Sequence, residues 1–399
     1  MSLNKRIITD ETGRDIATSL SILAGEKVPT YLTNWDAIGI TAGQGNASRV
    51  FNIGDLISEP WIDTADGNKS YDNPWRVNHF SKETDINGNT VDGMWLQTKY
   101  THPFGVRFSH ERAFLACPDG LAAGTYHFDF AETWGNNIKT GISYQFTLTK
   151  AVEKGGRLAG CYSATDTSPS SWKVYSYGAN GITINETVSV STGSAGTNLG
   201  TMKAIVRQGN LNCFQEMAYG NNRWSTSALR QYLNSDATKG NWWKPQDQWD
   251  IAPNELSTKD GFLCGINTEM LRNIVPIKTI TRTNGNTDGD VEDVTYDKII
   301  IPSLEQMYIQ PQVSNEGESH EYWKELNGTS TKWKPWNTYD ILKQYSVSDH
   351  TAPQYTRFRS TIRGGACYTW FVSFSGSVSN GGNGASSAYT FEPACFIHR

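Results

Sequence analysis

Between Tyr368 and Phe374 the chain alternates. Tyr368, Trp370, Val372 and Phe374 fall on one face of an extended strand, and Thr369, Phe371, Ser373 and Ser375 fall on the other. That pattern predicts a half-buried strand with its larger residues inward. Gly376 then permits a tight turn, and Ser377, Val378 and Ser379 resume the alternation before a glycine-rich loop. Upstream the periodicity changes along the chain. Ile16, Leu20 and Leu23 recur at helical spacing, with Thr9 or Asp10 as cap and Gly25 as stop, so Thr9 to Gly25 reads as one helix. Gly39, Gly43 and Gly45 mark the following segment, to about Ser48, as a linker.

From Arg49 to about Leu199 short alternating runs recur, beginning at Arg49, Gly93, Gly124, Ile142 and Trp172. Asp66-Gly67, Asn87-Gly88 and Asp119-Gly120 supply turns between them. Strands at this spacing favour a sandwich or jelly-roll-like domain. The Ser/Thr/Gly-rich run from Ser189 to Thr197 reads as the boundary that closes it. Beyond Met202 the pattern is mixed. Ser225 can cap a helix carrying Ala228, Leu229, Tyr232 and Leu233, and a second helix starts at Thr268. An acidic, glycine-rich insertion from Asn284 to Asp293 precedes a strand around Lys298 to Pro302, and Ser303 to Gln306 has the form of a capping box.

These elements predict an α+β, β-rich chain in three parts. An N-terminal helix and linker occupy residues 1–48 and serve attachment or oligomerisation. A β-sandwich or jelly-roll-like domain spans 49–200, and a mixed ligand-binding domain spans 201–399. Composition agrees, with 37 glycines, 14 tryptophans and only 19% charged residues among 399. A net charge of -5 gives no electrostatic footprint for nucleic acid. No apolar run is long enough to insert in a membrane, and the first residues lack a secretory h-region, so synthesis in a cytoplasm is expected. Cys117, Cys161, Cys213, Cys264, Cys367 and Cys395 are dispersed without a CxxC, as in a chain folded under reducing conditions; a Cys367–Cys395 pairing stays open.

No catalytic constellation stands out in the sequence. His110-Glu-Arg-Ala-Phe114 begins like a zinc-protease helix but has Phe114 where the second histidine must stand. His79, His102, His127, His320, His350 and His398 are scattered without ligand spacing. There is no phosphate-cradling glycine loop and no Gly-x-Ser-x-Gly elbow. The carboxylates of Asp288 to Asp293 and of Asp85 to Asn89 miss the EF-hand register and read as solvated loops. No catalytic residue, metal or cofactor is therefore expected. The positive signal is aromatic: Trp224, Trp242, Trp243, Trp249, Trp323, Trp333, Trp336 and Trp370 crowd the last domain, where an exposed few could stack on a ligand.

The alternating stretch is also unusual in composition. From Thr361 to Phe391 there is no Lys, Glu, Gln, Met or Asp, and Arg363 is the only charge. Two readings fit: a small-residue hairpin closing a core, or a surface built like a paratope, with tyrosine for area and Ser, Gly and Asn for adaptable polar contacts.

Three stretches of the last domain carry a family resemblance: Asn222 to Ser235, Asp297 to Gln306, and Phe358 to Ile397 with its Tyr-Thr-Trp-Phe-Val core and Phe-Glu-Pro-Ala-Cys-Phe-Ile end. They resemble the variable proteins of diversity-generating retroelements, encoded by phages and prophages. Their C-terminal domain has the C-type-lectin-type fold in the variant shared with formylglycine-generating enzymes. In that family adenines of a template repeat are mutagenised, so AAC-type codons become NNC codons, which cannot encode Lys, Glu, Gln, Met or Trp. The resemblance thus accounts for most of the depletion and implies a variable region at about 355–397. Its variable, ligand-binding positions would be Ile362, Arg363, Ala366, Cys367, Thr369, Phe371, Ser373, Ser375, Ser377, Ser379, Asn380, Ser386, Ser387 and Thr390. Tyr368, Trp370, Val372, Phe374, Gly376, Val378, Glu392 and Pro393 would be the fixed scaffold. Glu392-Pro393-Ala394 lacks the asparagine of the calcium-lectin motif, so a calcium-dependent sugar site is not implied.

What the resemblance implies is a virion protein of a phage tail or surface. It would bind a host cell-surface receptor, protein or glycan, sit beside other virion proteins, and form a homo-oligomer, a trimer by family analogy. The alternatives are a formylglycine-generating-type or carbohydrate-active enzyme, for which Cys367 and Cys395 would be the residues to test, and a purely structural virion protein.

Overall fold

The computed structural model describes residues 34–399 apart from 110–113, 118, 131–140, 162–172, 180–183, 195–197, 208–209, 215–217, 220–221, 247–251, 284–289, 327–332, 363–367 and 380–383. The helix expected at Thr9 to Gly25 lies outside the described residues. Strands dominate and the helices are short, as the β-rich α+β reading requires.

The first described element is a helix, α1 (Trp35–Gly43), followed by one turn, α2 (Ala47–Val50). A linker was expected here, and the glycines explain the difference. A Cβ on Gly39 would stand 2.0 Å from Asn273 Oδ1, and one on Gly43 would stand 2.1 Å from the Arg399 carbonyl oxygen. They are points of close approach in a buried helix rather than hinges. Asn34 caps α1 by accepting the Ala37 N–H at 2.9 Å, and Trp35, Ala37, Ile38 and Ala42 go into the core.

Next come β1 (Leu56–Ile57), β2 (Trp61–Asp63), β3 (Lys69–Tyr71), β4 (Trp75–Thr84) and β5 (Thr90–Thr98). The last two form a hairpin whose turn uses Gly88 at φ 83°. After Ser109 comes a separate β unit: β6 (Phe114–Cys117), β7 (Gly124–Phe130), β8 (Tyr144–Leu148), β9 (Gly156–Cys161), β10 (Lys173–Tyr177), β11 (Ile184–Ser189), β12 (Ser191–Thr192), β13 (Asn198–Arg207), β14 (Asn210–Phe214) and β15 (Ala218–Tyr219). They make two five-stranded sheets, ordered β11-β10-β9-β6-β15 and β12-β8-β7-β13-β14, with β14 lying against β9 and β6.

The rest of the chain adds α3 (Ala228–Leu233), α4 (Thr268–Asn273), β16 (Ile277–Arg282), β17 (Glu292–Asp297), β18 (Ile299–Ile300), α5 (Glu321–Leu326), β19 (Gln344–Tyr345), β20 (Pro353–Gln354), β21 (Thr356–Thr361), β22 (Thr369–Val372), β23 (Val378–Ser379) and β24 (Ala394–Ile397). Here β24 inserts between β5 and β18, pairing Cys395 with Leu96 on one side and Ile299 on the other. The resulting sheet, β1-β4-β5-β24-β18, joins residues 56–98 to the C-terminus.

This pairing corrects the expected division of the chain. Residues 35–108 share a core with the C-terminal part: Trp35, Val77, Leu96, Phe108, Leu229, Tyr232, Ile299 and Phe396 belong to one buried cluster. Strand pairing carries the middle β unit to Tyr219, so the run from Ser189 to Thr197 lies inside that unit rather than at its end. Composition marks flexible-looking chain, whereas domain membership follows strand partners far away in sequence.

A bulge between Val77 and His79 turns the fully buried Asn78 inward, where a polar network crosses the core. Arg76 Nε donates to Asn78 Oδ1 at 3.0 Å, and Asn78 Nδ2 and Trp323 Nε1 donate to Gln97 Oε1 at 2.5 and 3.1 Å. Gln97 Nε2 donates to Glu392 Oε2 at 2.5 Å, and Arg76 Nη2 stands 4.0 Å from that oxygen, its guanidinium covering the Tyr322 ring. Glu392 and Pro393 thereby clamp the terminal strand, with the Thr98 N–H donating to the Pro393 carbonyl at 2.9 Å.

Candidate functional site

The terminal stretch forms a three-stranded antiparallel sheet, β21-β22-β23, with β22 at its centre. Tyr368, Trp370, Val372 and Val378 pack into a second buried cluster with Leu304, Met307, Trp323, Leu342 and Phe358. Phe371 points the other way, as period two demands. Its face is not open, however: Tyr355 and Tyr389 cover it, with ring centroids at 5.7 and 5.9 Å. Thr369 and Phe371, expected outward, are therefore buried, as are Ile362 within the cluster and Ser373 at the strand end. A central strand is covered on both faces where the neighbouring chain carries large rings, a fact that alternation within one strand cannot reveal.

Phe374, expected on the inward face, is the converse case, because the strand stops at Val372. Residues 373–376 make a turn closed by the Gly376 N–H donating to the Ser373 carbonyl at 2.8 Å, and the Ser373 N–H donates to the Ser377 carbonyl at 2.9 Å. Gly376 holds φ 83° there, as the left-handed position of such a hairpin needs. The alternation is broken, and the Phe374 side chain projects at 52% exposure, edge-on to Tyr355 at 5.4 Å. Tyr355 in turn stacks on Tyr389 at 5.2 Å. A half-open aromatic platform of Tyr355, Phe371, Phe374 and Tyr389 results.

Hydroxyls surround it. Ser373 Oγ accepts the Ser375 and Ser377 N–H groups, both at 3.2 Å, and lies 2.7 Å from Ser375 Oγ. Thr390 Oγ1 donates to the Tyr355 carbonyl at 2.6 Å. Ser375, Ser377, Ser379, Ser386, Ser387 and Thr390 are all partly exposed, whereas Arg363, Ala366, Cys367 and Asn380 lie outside the described residues.

The fully buried guanidinium of Arg357 organises the loop beneath. Its Nη1 donates to the Ala385 carbonyl at 3.2 Å, and its Nη2 donates to those of Gly384 and Ser387 at 3.3 and 2.8 Å, while the Tyr389 ring lies 5.3 Å away. Burial pushes the Arg357 pKa down to about 9, still above neutrality, so a positive charge faces three carbonyl dipoles. Burial raises the Tyr389 phenol, opposed by the Arg357 charge. Gly105 lets the loop approach, since a Cβ there would stand 2.1 Å from the Ala388 carbonyl oxygen. Sequence reading passed over Arg357 because a buried arginine in a strand resembles any surface one.

A further exposed aromatic, Trp336, lies over the buried Trp370 with centroids 4.6 Å apart and donates Nε1 to the Gln310 carbonyl at 2.6 Å. This assembly offers rings, hydroxyls and backbone dipoles, the equipment of non-covalent recognition. Cys395 is sealed inside the five-stranded sheet and its thiol is pushed well above the usual range by burial, which disfavours the thiolate a reactive cysteine requires. Cys367 lies outside the described residues, and Cys264 and Cys395 are free thiols.

Residues 201–398 match a family model described as a domain of unknown function (DUF6273). No curated protein and no solved structure matches the chain.

Proposed function

We propose that this chain is a hypervariable ligand-binding protein that recognises a host cell-surface molecule from a phage virion, through retroelement-diversified residues on a lectin-type scaffold. The observation that carries the reading is the platform at the 373–376 turn. The central strand β22 ends in a turn that presents Phe374 edge-on to Tyr355, which stacks on Tyr389, with serine hydroxyls around it. Ser375, Ser377, Ser379, Ser386, Ser387 and Thr390 can change without entering the core, while Trp370, Val372, Val378 and Glu392 cannot. Exposed positions of this kind are the ones a diversifying process can rewrite at small cost in stability.

The virion setting, the host receptor and the homo-oligomer come from the resemblance of the terminal stretches. A rewritten site binds weakly on average, and many copies on one particle raise avidity without any new contact. The jelly-roll-like character of the two-sheet middle unit belongs to the same proposal, as a spacer that attaches the binding part to the particle.

The test replaces Ser375, Ser377, Ser386, Ser387 and Thr390 together with a different small polar set and measures binding to host cells. The expected result is lost or redirected binding with an unchanged melting temperature. Unchanged host binding refutes the reading. Inspection of the coding region adds an independent check, since the reading requires a near-repeat of the 3′ end beside a reverse-transcriptase gene.

A further inference from the structure

Away from the platform, a cavity of about 450 Å³ opens between β4, β5, β16, β18, the turn after Ser303 and the loop at 315–318. That volume falls in the range of small-molecule sites, about 300–1,000 Å³. Its charges do not cancel. Arg359, almost fully buried, donates Nη2 to Gln306 Oε1 and to the Glu316 carbonyl. The Glu316 carboxylate takes the Arg282 N–H at 3.0 Å and the Ser360 hydroxyl, so Arg359 and Glu316 compensate one another. Lys278 lines the cavity and is exposed. The wall carries Glu83, Glu305, Glu316 and Glu318 against Arg359 and Lys278, so carboxylates are in excess, with Arg359 also acting on Glu83 and Glu305 at longer range.

Glu83, Glu305 and Glu318 keep accepting capacity. Glu83 receives both Trp95 Nε1, at 2.9 Å, and the Ser81 hydroxyl, at 2.8 Å, on Oε1, which leaves Oε2 unspent. Glu305, 8% exposed, receives the Glu316 N–H at 2.8 Å on Oε2. Glu318 is exposed and turns one oxygen toward His79 Nε2 at 3.4 Å. Burial raises the pKa of Glu83 and of Glu305, opposed at Glu305 by backbone hydrogen bonds and by the Arg359 charge.

A second observation is independent of these acids. Gln306 is 3% exposed and spends Oε1 on the Ser303 N–H and on Arg359. Its Nε2 donates to no described group and is not among the sealed buried atoms, so it faces the cavity that Gln306 lines. On a side chain that is otherwise buried, this donor is free to serve an acceptor in the cavity. Among the described residues no three His, Cys, Asp or Glu groups converge closely enough to hold a metal ion.

We propose that this cavity is a second binding site for an ammonium or guanidinium group of side-chain size that carries a hydrogen-bond acceptor beside it. The cation lies against Glu83, Glu305 and Glu318, and the acceptor takes the Gln306 Nε2 proton. A lysine or arginine side chain presented by a protein and a free small amine share this chemistry.

Isothermal titration calorimetry of the full chain tests it, with N-acetyl-lysine and N-acetyl-arginine methylamides as blocked residues and putrescine and agmatine as free amines. Saturable binding of at least one class is expected. Glu83→Gln and Glu305→Gln keep their acceptor for Trp95 Nε1 and the Glu316 N–H, so both should fold, and each should weaken binding about tenfold or more. Gln306→Glu keeps the oxygen used by Ser303 and Arg359; it should weaken the blocked residues while strengthening the amines that lack an acceptor. Preference for blocked residues identifies a presented side chain, and preference for putrescine or agmatine a free amine. The proposal is overturned by absence of saturable heat with every probe, or by affinities that neither carboxamide variant lowers.

Discussion

Replacing Glu392 by Gln should change how stability responds to pH, and the sign follows from where the carboxyl sits. Glu392 is 1% exposed, its Oε1 has no hydrogen-bond partner among the described residues, and Arg76 Nη2 stands 4.0 Å from Oε2. Burial, opposed by Arg76 and by the Gln97 hydrogen bond, raises its pKa from 4.5 to about 8. The unfolded chain releases this proton near 4.5 and the folded chain only near 8, so between those values the unfolded state binds fewer protons. Stability is therefore fully present below 4.5 and is lost as pH rises toward 8. With 1.36 kcal/mol for each unit of separation, this one group removes about 3 kcal/mol of wild-type stability between pH 5 and pH 8. Glutamine keeps an oxygen for Gln97 Nε2 and has no proton to lose. Urea unfolding of both proteins from pH 5 to pH 8.5 isolates the effect, because the remaining titrations cancel in the difference. The variant should gain on the wild type by about 3 kcal/mol across that window. A difference that stays flat, or one that moves in favour of wild type as pH rises, refutes the assignment of a neutral buried acid.

Arg357→Met removes the charge that gathers the Gly384, Ala385 and Ser387 carbonyls. It should cost about 2–4 kcal/mol in denaturant unfolding, and a loss below about 1 kcal/mol would show that the loop holds itself. Phe374→Ala should leave stability within about 1 kcal/mol, since the ring is half exposed. It should nevertheless reduce host-cell binding about tenfold by removing a central aromatic anchor; retained binding would move the recognition face elsewhere. Gly376→Ala places a Cβ 2.2 Å from the Tyr339 carbonyl oxygen at a position with φ 83°. Thermal unfolding should register a loss on the order of 2 kcal/mol or more, and an unchanged melting temperature would argue against this turn.

Local features were legible in the sequence because their causes are local. The Ser303 to Gln306 capping box forms reciprocally, with the Gln306 N–H donating to Ser303 Oγ and the Ser303 N–H to Gln306 Oε1, both at 3.1 Å. The buried face of α3, Ala228, Leu229, Tyr232 and Leu233, is the one its spacing predicts, although Ser227 rather than Ser225 caps it by accepting the Arg230 N–H at 3.1 Å. Gly376 makes the expected turn, and the even-numbered residues of β22 enter the core. Each of these depends on partners within a few residues.

Other features depend on partners hundreds of residues apart. Gly39 and Gly43 read as linker because nothing near them shows that Asn273 and the C-terminal residue Arg399 press against them. The placement of residues 35–108 with the C-terminal core follows from β24 entering between β5 and β18, which no run of sequence announces. Alternation sorted Phe371 from Trp370, but whether the outward face meets water was settled by Tyr355 and Tyr389 folding over it. The sequence by itself determined which side chains share a face, since that is backbone geometry. Which faces are covered, and by what, is long-range packing, and it was decided by the fold alone.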